Sequence, residues 1–371
     1  MSVDAKMHVL ICGGGVIGAS TAYFLARRDV SSTVIERAGI ACAASGKSGG
    51  FLALDWCDGT ALEALARRSF ALHAQLAEEI GGDWAYRRMT TYAGFAARAG
   101  RRSAGGGYHL NWIDDDVSLT QRLGGQQTTA QVHPGRFTQA LMHAAQPHAA
   151  LRLGRVSGIV REGERVTGVD VDGETVTGDA VVIAMGPWSI LAAAWLPLPA
   201  VFGLKGHSLV FDTGADVPAE ALFLDYREES GAAHAPEVFP RADGTTYVCA
   251  ISSESPVPLD PGAVVPDEGA IERLEAICAR LSPVLARSPI LARQACFRPV
   301  TRDGLPLIGR LPGLANAYVA TGHSVWGILN APATGEAMAE LIIDGSARTV
   351  DLASFDPARM RPAAAPRVRN A

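Results

Sequence analysis

Three glycines with a fixed spacing, Gly13, Gly15 and Gly18, follow the apolar run 8–12 and open a stretch with helical periodicity. In such a turn the first glycine permits the tight bend, the second lets a pyrophosphate approach the backbone, and the third lets helix and strand pack closely. The unpaired N–H groups at the start of the helix can bind the phosphates. Glu36, at the end of the next predicted strand, can accept hydrogen bonds from ribose hydroxyls. The pattern predicts a dinucleotide-binding βαβ unit but does not separate NAD from FAD.

Residues 41–50, ACAASGKSGG, are too rich in small side chains to form an ordinary helix. Small residues let the backbone approach a flat ligand closely. Ser45, Lys47 and Ser48 could donate hydrogen bonds to a pyrophosphate or to a flavin ring. The alternative interpretation of this segment is a flexible surface loop.

A second strand–turn–helix pattern lies near the end of the chain. The apolar run 317–320 leads into Gly322 and His323, and a helix is predicted to start between residues 326 and 332 and to end near residue 343. The N-terminus of a helix after such a turn favours an anion. His323 could belong to this site, or it could be a plain turn residue with its side chain in solvent.

The composition is that of an ordinary globular protein, with 48% hydrophobic and 19% charged residues, and the length of 371 residues predicts two domains. A net charge of −5 argues against nucleic acid as a partner. The six cysteines are scattered, without a CxxC motif or a Cys/His cluster. This distribution argues against a metal site and favours a reducing compartment. Since the N-terminus shows no signal-peptide pattern, the expected location is cytoplasmic.

One uncharged stretch, residues 180–204, is long enough to span a membrane. Gly186, Pro187, Pro197 and Pro199 break it into a strand, a turn, a short helix and a second turn. The strand at 180–185 is apolar throughout, which is typical of a buried parallel strand. No membrane span is therefore expected.

Four segments together carry a family resemblance that covers the whole chain. They are GGGVIGASTAYFLA with VIER, ACAASGKSGGFL, VVIAMGPWS, and CFRPVTRDGLPLIG with ATGHSVWGILNAPATG. The chain resembles the superfamily of D-amino acid oxidases, glycine oxidases and sarcosine oxidases, and within it the glycine-oxidase-like members. The resemblance implies an α/β fold (α+β overall). A Rossmann-like FAD-binding domain of the glutathione-reductase type would be joined to a substrate domain built on a mixed antiparallel sheet.

The resemblance also implies that the two domains are discontinuous in sequence. The FAD-binding domain would take residues 1–85, 134–204 and 296–360, and the substrate domain would take residues 86–133 and 205–295. Residues 361–371, rich in alanine, proline and arginine, would form a mobile tail.

In proteins of this type FAD lies extended on the Rossmann-like domain, and the late turn meets the pyrimidine edge of the isoalloxazine. Backbone N–H groups of that turn would stabilise negative charge at N1 and O2 of the reduced ring. The residues expected to bind FAD on this basis are Gly13, Gly15, Val16, Ile17, Gly18, Glu36, Arg37, Ser45, Gly46, Lys47, Ser48, Gly49, Gly50, Val156, Ala184, Gly186, Trp188, Arg298, Gly322, His323, Ser324, Val325, Trp326, Gly327 and Ile328.

The activity implied is oxidation of the C–N bond of an α-amino acid, either glycine, an N-substituted glycine or a D-amino acid. A hydride passes to flavin N5, the imine hydrolyses, and O2 is expected to reoxidise the flavin with formation of H2O2. Arg298, in its FRP context, matches the arginine that binds the substrate carboxylate in related oxidases, whereas a structural ion pair with an interdomain acid is the alternative. Tyr226 and Tyr247 could cap the substrate or belong to the core. Lys205 could assist the reaction with oxygen or be a solvated strand-end lysine.

Cys296 raises the question of a covalent flavin. In monomeric sarcosine oxidases a cysteine before a T-x-D turn carries the flavin 8-methyl carbon, and here Cys296 precedes Thr301, Arg302 and Asp303. Attachment needs the thiolate, which a nearby Arg298 would favour. Arginine at position 298 is, however, the pattern of the amino acid oxidases, which bind FAD non-covalently. We therefore predict non-covalent FAD and a packed thiol close to the flavin edge.

Two other classes of function stay open at the level of sequence. An NAD-linked dehydrogenase would share the glycine motif, and it would lack the yellow flavin colour near ~450 nm. A flavoprotein with structural FAD could act as an assembly or trafficking factor, and its flavin would not be bleached by amines.

Overall fold

The computed structural model describes residues 7–96 and 107–364. The strands within these ranges are, in chain order, β1 His8–Cys12, β2 Ser31–Glu36, β3 Phe51–Ala53, β4 Arg87–Arg88, β5 Thr90–Ala96, β6 Val117–Gly124, β7 Thr129–Gln131, β8 Ala149–Leu153, β9 Val156–Glu162, β10 Arg165–Val171, β11 Glu174–Thr177, β12 Ala180–Ile183, β13 Phe202–Asp212, β14 Glu220–Arg227, β15 Ala233–His234, β16 Glu237–Pro240, β17 Thr245–Ser253, β18 Ile290–Val300, β19 Leu307–Arg310 and β20 Ala317–Thr321. The α-helices are α1 Val16–Ala26, α2 Ala44–Lys47, α3 Glu63–Glu79, α4 Pro134–Ala144, α5 Ala270–Leu281, α6 Pro283–Arg287 and α7 Gly327–Asp344. Short 3₁₀ helices are Gly186–Ala194, Pro261–Ala263, Ser324–Trp326, Ala353–Phe355 and Pro357–Arg359.

A six-stranded sheet carries the glycine motif, in the order β19-β20-β12-β1-β2-β8. Its strands are parallel except β19, which runs antiparallel to β20. Both faces are covered, because Val9 and Ile11 pack in the cluster with α1, α3 and α7, while Leu10 and Cys12 pack in the cluster with β10. Such double coverage is what makes the strands of a parallel sheet apolar throughout. The carboxyl ends of β1, β12 and β20 meet at one edge of this sheet, where ligands of open α/β sheets bind.

A second sheet has eight strands in the order β18-β13-β17-β16-β14-β5-β6, with β15 paired to β14. It is mixed, since β14 and β5 are parallel and the other pairs are antiparallel. Helix α5 packs on one face through Leu274 and Ile277, beside Leu209 and Val248 of the sheet. The opposite face carries Phe239 and Tyr247 and belongs to the cavity described below.

The division into two discontinuous domains stays a prediction, but strand pairing crosses two of its boundaries. Strand β18 pairs with β13 from Phe202↔Val300 to Phe211↔Ile290, so the second sheet continues past residue 296 and begins before residue 205. A small third sheet, β3-β7-β4, joins residues from both sides of the boundary at residue 85. A separate antiparallel sheet, β11-β10-β9, packs on the parallel sheet.

Helix α7 shows how the sequence shapes the turn before it. The helix starts at Gly327 and ends at Asp344, as the sequence predicts. Pro332 lies in its first turns and has no N–H to donate to the carbonyl of Ile328. His73 of α3 replaces this donor, with Nε2 2.9 Å from the Ile328 oxygen. The first turn of α7 is therefore held by a side chain distant in sequence.

The predicted mobile tail and the uncharged stretch 180–204 can both be located in the fold. The first residues of the predicted mobile tail pack on the protein, because Pro362 forms a bridge with Pro199 and the Ala363 N–H donates to the Leu198 carbonyl at 2.9 Å. The prediction of a mobile tail is wrong for residues 361–364, and residues 365–371 lie outside the described part. Within the described residues, no helix combines the length and the apolar character needed to cross a bilayer.

Candidate active site

A cavity of about 500 Å³ lies between the edge of the parallel sheet and the inner face of the mixed sheet. This volume falls in the range of small-molecule and cofactor sites. One end is formed by the glycine turn after β1, and the wall opposite is formed by residues of β16, β17 and β18. We call these the nucleotide end (the turn 13–17 with Glu36 and Arg37) and the substrate end (the wall that contains Glu237, Cys249, Ser252 and Arg298).

At the nucleotide end the backbone itself forms the binding surface. Gly13 has a φ of +116°, and a Cβ there would lie 2.4 Å from the carbonyl oxygen of Ala184. A Cβ at Gly18 would lie 2.0 Å from the carbonyl oxygen of Gly13, so Gly18 permits packing without lining the cavity. Helix α1 begins after Gly15 without a side-chain cap, and the Val16 N–H donates to Ser45 Oγ at 2.9 Å. The N–H groups at the start of a helix are suited to binding phosphates.

Glu36 lines the cavity with its carboxylate already fixed in place. It accepts hydrogen bonds from the N–H of Gly14 at 2.6 Å and from the N–H of Ala38 at 2.9 Å. Arg37, which also lines the cavity, donates to the Leu259 carbonyl at 2.6 Å and so ties this end to the loop between β17 and α5.

The segment 41–50 is packed structure, so the alternative of a flexible surface loop is wrong. It contains α2, and a Cβ at Gly46 would lie 2.1 Å from the Ala41 carbonyl oxygen. Ser45, Ser48, Gly49 and Gly50 line the cavity, whereas Gly46 and Lys47 do not. Lys47 instead donates to the Ala295 carbonyl at 3.3 Å, across to β18.

The late turn brings the start of α7 to the cavity. His323, Ser324, Val325, Trp326, Gly327 and Ile328 line it, while Gly322, with a φ of +81°, packs on Thr301. His323 is 4% exposed, so the alternative that its side chain lies in solvent is wrong. Burial lowers the pKa of His323 to about 3, and its Nε2 lies 3.0 Å from Thr334 Oγ1. The imidazole is therefore neutral at physiological pH.

The substrate end combines aromatic rings with a small polar patch. The rings of Phe51 and Phe239 stack at 5.2 Å, and Phe223 lies 5.1 Å from Phe51 and 4.8 Å from Trp56. Trp326 lies 6.4 Å from Trp56 and closes the cluster toward the late turn. These rings offer an apolar surface that excludes water from a bound ligand.

Arg298 projects from β18 into the polar patch. Its Nη2 donates to Ser252 Oγ, which orients the guanidinium. Among the described residues no carboxylate forms an ion pair with Arg298, in contrast to Arg293 on the same strand, whose Nε lies 2.6 Å from Glu275 Oε1. The alternative of a structural ion pair therefore receives no support from the fold. A guanidinium fork with free donors is suited to a carboxylate ligand.

The other predicted catalytic residues have different positions. Lys205 does not line the cavity, because it lies on the opposite face of β13 with Nζ 2.5 Å from Asp267 Oδ1. Tyr226 packs with the cluster under α5, outside the cavity. Tyr247 does line the cavity, stacked 6.1 Å from Phe239, and burial raises its pKa well above the usual value. Only Tyr247 of these three can contact a ligand in the cavity.

Cys296 lies in the cavity wall beside Arg298. Burial raises the pKa of its thiol, and the nearby charges of Arg298 and Lys47 oppose this only in part. The thiol form is therefore favoured at neutral pH, which disfavours nucleophilic attachment of a cofactor.

The residues present fit FAD. Two buried polar atoms of the lining, Ser48 Oγ and His323 Nδ1, have no hydrogen-bond partner among the residues that the structure describes, and they could bond a ligand. The glycine cradle, the fixed carboxylate of Glu36 and the start of α7 complete a surface for a dinucleotide. Val156, Ala184, Gly186 and Trp188 also line the cavity, and the Trp188 Nε1 donates to the Pro258 carbonyl at 2.7 Å.

Several lining residues were not identified from the sequence. Five of them share the inner face of the mixed sheet and are Phe223, Glu237, Phe239, Cys249 and Ser252. His207 also lines the cavity, but its side chain lies on the face of Lys205, where its Nε2 accepts a hydrogen bond from the Asp267 N–H at 3.0 Å. No contiguous motif marks them, and only the alternation of side chains along correctly registered strands could have found them.

Comparison with known proteins agrees with this geometry. The sequence profile of the family described as FAD dependent oxidoreductase matches residues 8–341. A Schizosaccharomyces pombe protein named only as an oxidoreductase is 31% identical over 94% of this chain and 97% of its own. A glycine oxidase of Pseudomonas aeruginosa is 29% identical over 95% of this chain and 98% of its own. The crystal structure of glycine oxidase from Geobacillus kaustophilus superposes with a TM-score of 0.78 at 26% identity, covering 95% of this chain and 99% of that one. The chain therefore belongs to the family of FAD-dependent oxidoreductases.

Proposed function

We propose that this enzyme oxidises the C–N bond of an α-amino acid, either glycine, an N-substituted glycine or a D-amino acid. The observation that carries the proposal is Arg298, a guanidinium without an ion-pair partner in the described chain, placed in the wall of the cavity beside an apolar cage. The relatives named glycine oxidase support the same class of substrate. The family of FAD-dependent oxidoreductases, to which the chain belongs, argues against the alternative of an NAD-linked dehydrogenase.

The residues of this chain would bind and orient the substrate. Arg298 would hold the carboxylate bidentately, and Ser252 would keep the guanidinium plane in position. The rings of Phe51, Trp56 and Phe223 would exclude water around the reacting carbon. Bound FAD would supply the two-electron acceptor for the hydride removed from the substrate. The imine released would hydrolyse in water.

The state of the flavin and its reoxidation are further parts of the proposal. The raised pKa of the buried Cys296 thiol supports non-covalent FAD. Reoxidation by O2 with formation of H2O2 is proposed by analogy with the oxidases among the relatives. The cytoplasmic location stays a proposal as well, supported by six cysteines that are all free thiols.

The test is anaerobic bleaching of the purified holoprotein by a panel of amino acids and the matching amines without a carboxylate. Arg298→Lys keeps the charge but loses the bidentate fork, so KM for carboxylate substrates should rise about 10- to 100-fold while the matching amines are little affected. Arg293→Lys is the matched control, because this arginine lies on the same strand and pairs with Glu275 at the surface.

Two outcomes would contradict the proposal. An equal loss for amino acids and amines in Arg298→Lys would show a structural arginine. Failure of the whole panel to bleach the wild-type flavin would favour a flavoprotein whose FAD is structural.

A further inference from the structure

Two carboxylates lie among the described residues that line the cavity, Glu36 at the nucleotide end and Glu237 at the substrate end. Their surroundings differ. Glu36 accepts two backbone hydrogen bonds that hold it in position. The Glu237 side chain has one partner in the described part of the chain, the Cys249 thiol, with Sγ 3.5 Å from Oε2. A thiol is a weak donor, so the Glu237 carboxylate is left with most of its hydrogen-bonding capacity unused.

The rings next to Glu237 make its environment apolar. Glu237 pairs with Phe223 across the β14–β16 ladder, and Phe239 follows two residues later on the same face of β16. Burial accordingly raises the pKa of the Glu237 carboxyl, while the Cys249 hydrogen bond and the charge of Arg298 lower it only in part. A carboxylate in such a setting is stabilised by a cation that enters the cavity. Aromatic rings around the same spot favour a cation as well.

Arg298 and Glu237 belong to the same patch but do not pair with each other. Both lie in the described chain, the charge of Arg298 acts on Glu237, and yet no ion pair joins them. A zwitterion fits between a guanidinium and a carboxylate, because its negative group can face the guanidinium and its positive group can face the carboxylate. An α-amino acid is such a zwitterion.

We infer that Glu237 binds the substrate ammonium group opposite Arg298, so that this site selects amino acids over carboxylates that lack the cationic nitrogen. The inference rests on the proposed function and deepens it, since it assigns the second contact that defines the substrate class. Glu237 is a specificity-determining residue in this scheme. The aromatic rings would accommodate substituents on the nitrogen.

The test compares sarcosine with methoxyacetate, in which an ether oxygen replaces the N-methyl ammonium group. Both are mixed anaerobically with the holoprotein in a stopped-flow spectrometer. Kd for methoxyacetate comes from the perturbation of the flavin spectrum, and Kd for sarcosine comes from the same perturbation or from the concentration dependence of bleaching. The wild-type protein should prefer sarcosine by about 10- to 100-fold, the size of a hydrogen bond between charged groups.

In Glu237→Gln this preference should fall to within about threefold of unity, with methoxyacetate affinity little changed. Glu237→Asp keeps the charge and should retain part of the preference, which covers the case of a poorly folded Gln variant. Arg298→Lys should weaken both ligands by a similar factor. Glu228→Gln is the matched control, because this carboxylate follows β14 of the same sheet, pairs with His234 at 2.8 Å and does not line the cavity.

Each of the other possible outcomes would overturn a specific part of the inference. An equal loss of both ligands in Glu237→Gln, or no change, would overturn the role of Glu237. Wild-type protein that binds both ligands equally would also overturn it, while the carboxylate site at Arg298 would stand. If neither ligand changes the wild-type flavin spectrum, this inference fails, while the proposed function is decided separately by the panel of amino acids and amines.

Discussion

The nucleotide end and the substrate end of the cavity are built in different ways. At the nucleotide end, the backbone of the turn 13–17 forms the surface together with the Glu36 and Arg37 side chains, and a Cβ added at Gly13 would lie 2.4 Å from the Ala184 carbonyl oxygen. At the substrate end, side chains from three strands converge, and Glu237 and Arg298 are 61 residues apart in sequence. The first end depends on a glycine turn with no room for a Cβ at Gly13, whereas the second is defined by its side chains.

This difference indicates which part of the enzyme can vary. A pyrophosphate and a ribose are the same in every FAD, so a backbone cradle with one fixed carboxylate is sufficient. Substrates differ, and side chains on registered strands can be exchanged without altering the ladder that holds them. We therefore expect changes at the nucleotide end to remove the cofactor, and changes at the substrate end to alter selectivity with the cofactor retained.

The largest effect is expected for Gly13→Ala. The new Cβ would lie 2.4 Å from the Ala184 carbonyl oxygen, at a φ of +116° that disfavours alanine. Such backbone strain costs roughly 4 kcal/mol or more, and the protein should purify with little FAD or fail to fold. The ratio of absorbance at ~450 nm to that at ~280 nm measures the FAD content. Gly135→Ala in α4 is the matched control, since its nearest neighbour lies at an ordinary 3.5 Å. A full complement of FAD in the purified Gly13→Ala variant would contradict the role of the glycine turn in binding the cofactor.

A second prediction concerns pH and two buried histidines, His73 and His323, that contact α7. Burial lowers the pKa of His73 to about 4 and that of His323 to about 3, below the ordinary 6.5. Because the unfolded chain binds these protons first, the free energy of unfolding should fall as pH drops below about 6.5, by about 1.4 kcal/mol per pH unit for each group. From pH 7.5 to 5.5 the two groups together should remove about 3 kcal/mol.

Urea unfolding at the two pH values measures this loss. His73→Gln retains a donor toward the Ile328 carbonyl but does not titrate, so roughly half of the pH effect of the two groups should disappear. An unchanged dependence on pH in this variant would show that His73 is not held neutral by the fold.

Glu36→Arg should have a smaller effect than the glycine substitution, because it changes one contact and leaves the turn intact. A cation would replace the acceptor for the ribose hydroxyls and would lose the bonds to the Gly14 and Ala38 N–H groups. FAD affinity should fall about 10- to 100-fold. Titration of the apoprotein with FAD measures it, with the exposed Glu162→Arg as a control outside the cavity. An unchanged affinity for FAD in Glu36→Arg would contradict the assignment of Glu36 to binding the ribose.

No effect on FAD binding is expected from Cys296→Ala, which sharpens the distinction between the two ends. Cys296 lies in the substrate-end wall, and burial keeps its thiol protonated. After acid precipitation the yellow colour should remain in the supernatant for both the wild type and the variant. Colour that stays in the wild-type pellet and is lost in Cys296→Ala would show a covalent flavin.

Strand register explains why two predicted catalytic residues lie elsewhere. In β13 and β18, Lys205 pairs with Phe297 on the face that packs on α5, while Gly206 pairs with Cys296 on the cavity face. Side chains alternate along a strand, so a difference of one residue reverses the face. Tyr226 of β14 likewise shares the face of Leu222 and Leu224, which pack under α5. A single sequence shows which residues of a strand alternate, but it does not show which alternate set will face the cavity and which will face α5.

The sequence by itself determined the features that depend on contiguous backbone: the glycine turn with Glu36, the buried strand that ends before Gly186, and the start of α7 after the late turn. These could be predicted because glycine, proline and apolar periodicity act on φ, ψ and burial within a few residues. Only the tertiary structure decided that Glu237, Ser252 and Arg298 share one wall, and that His73 supplies the hydrogen bond which Pro332 cannot. Those contacts depend on the pairing of strands and the packing of helices far apart in the chain, which no local pattern specifies.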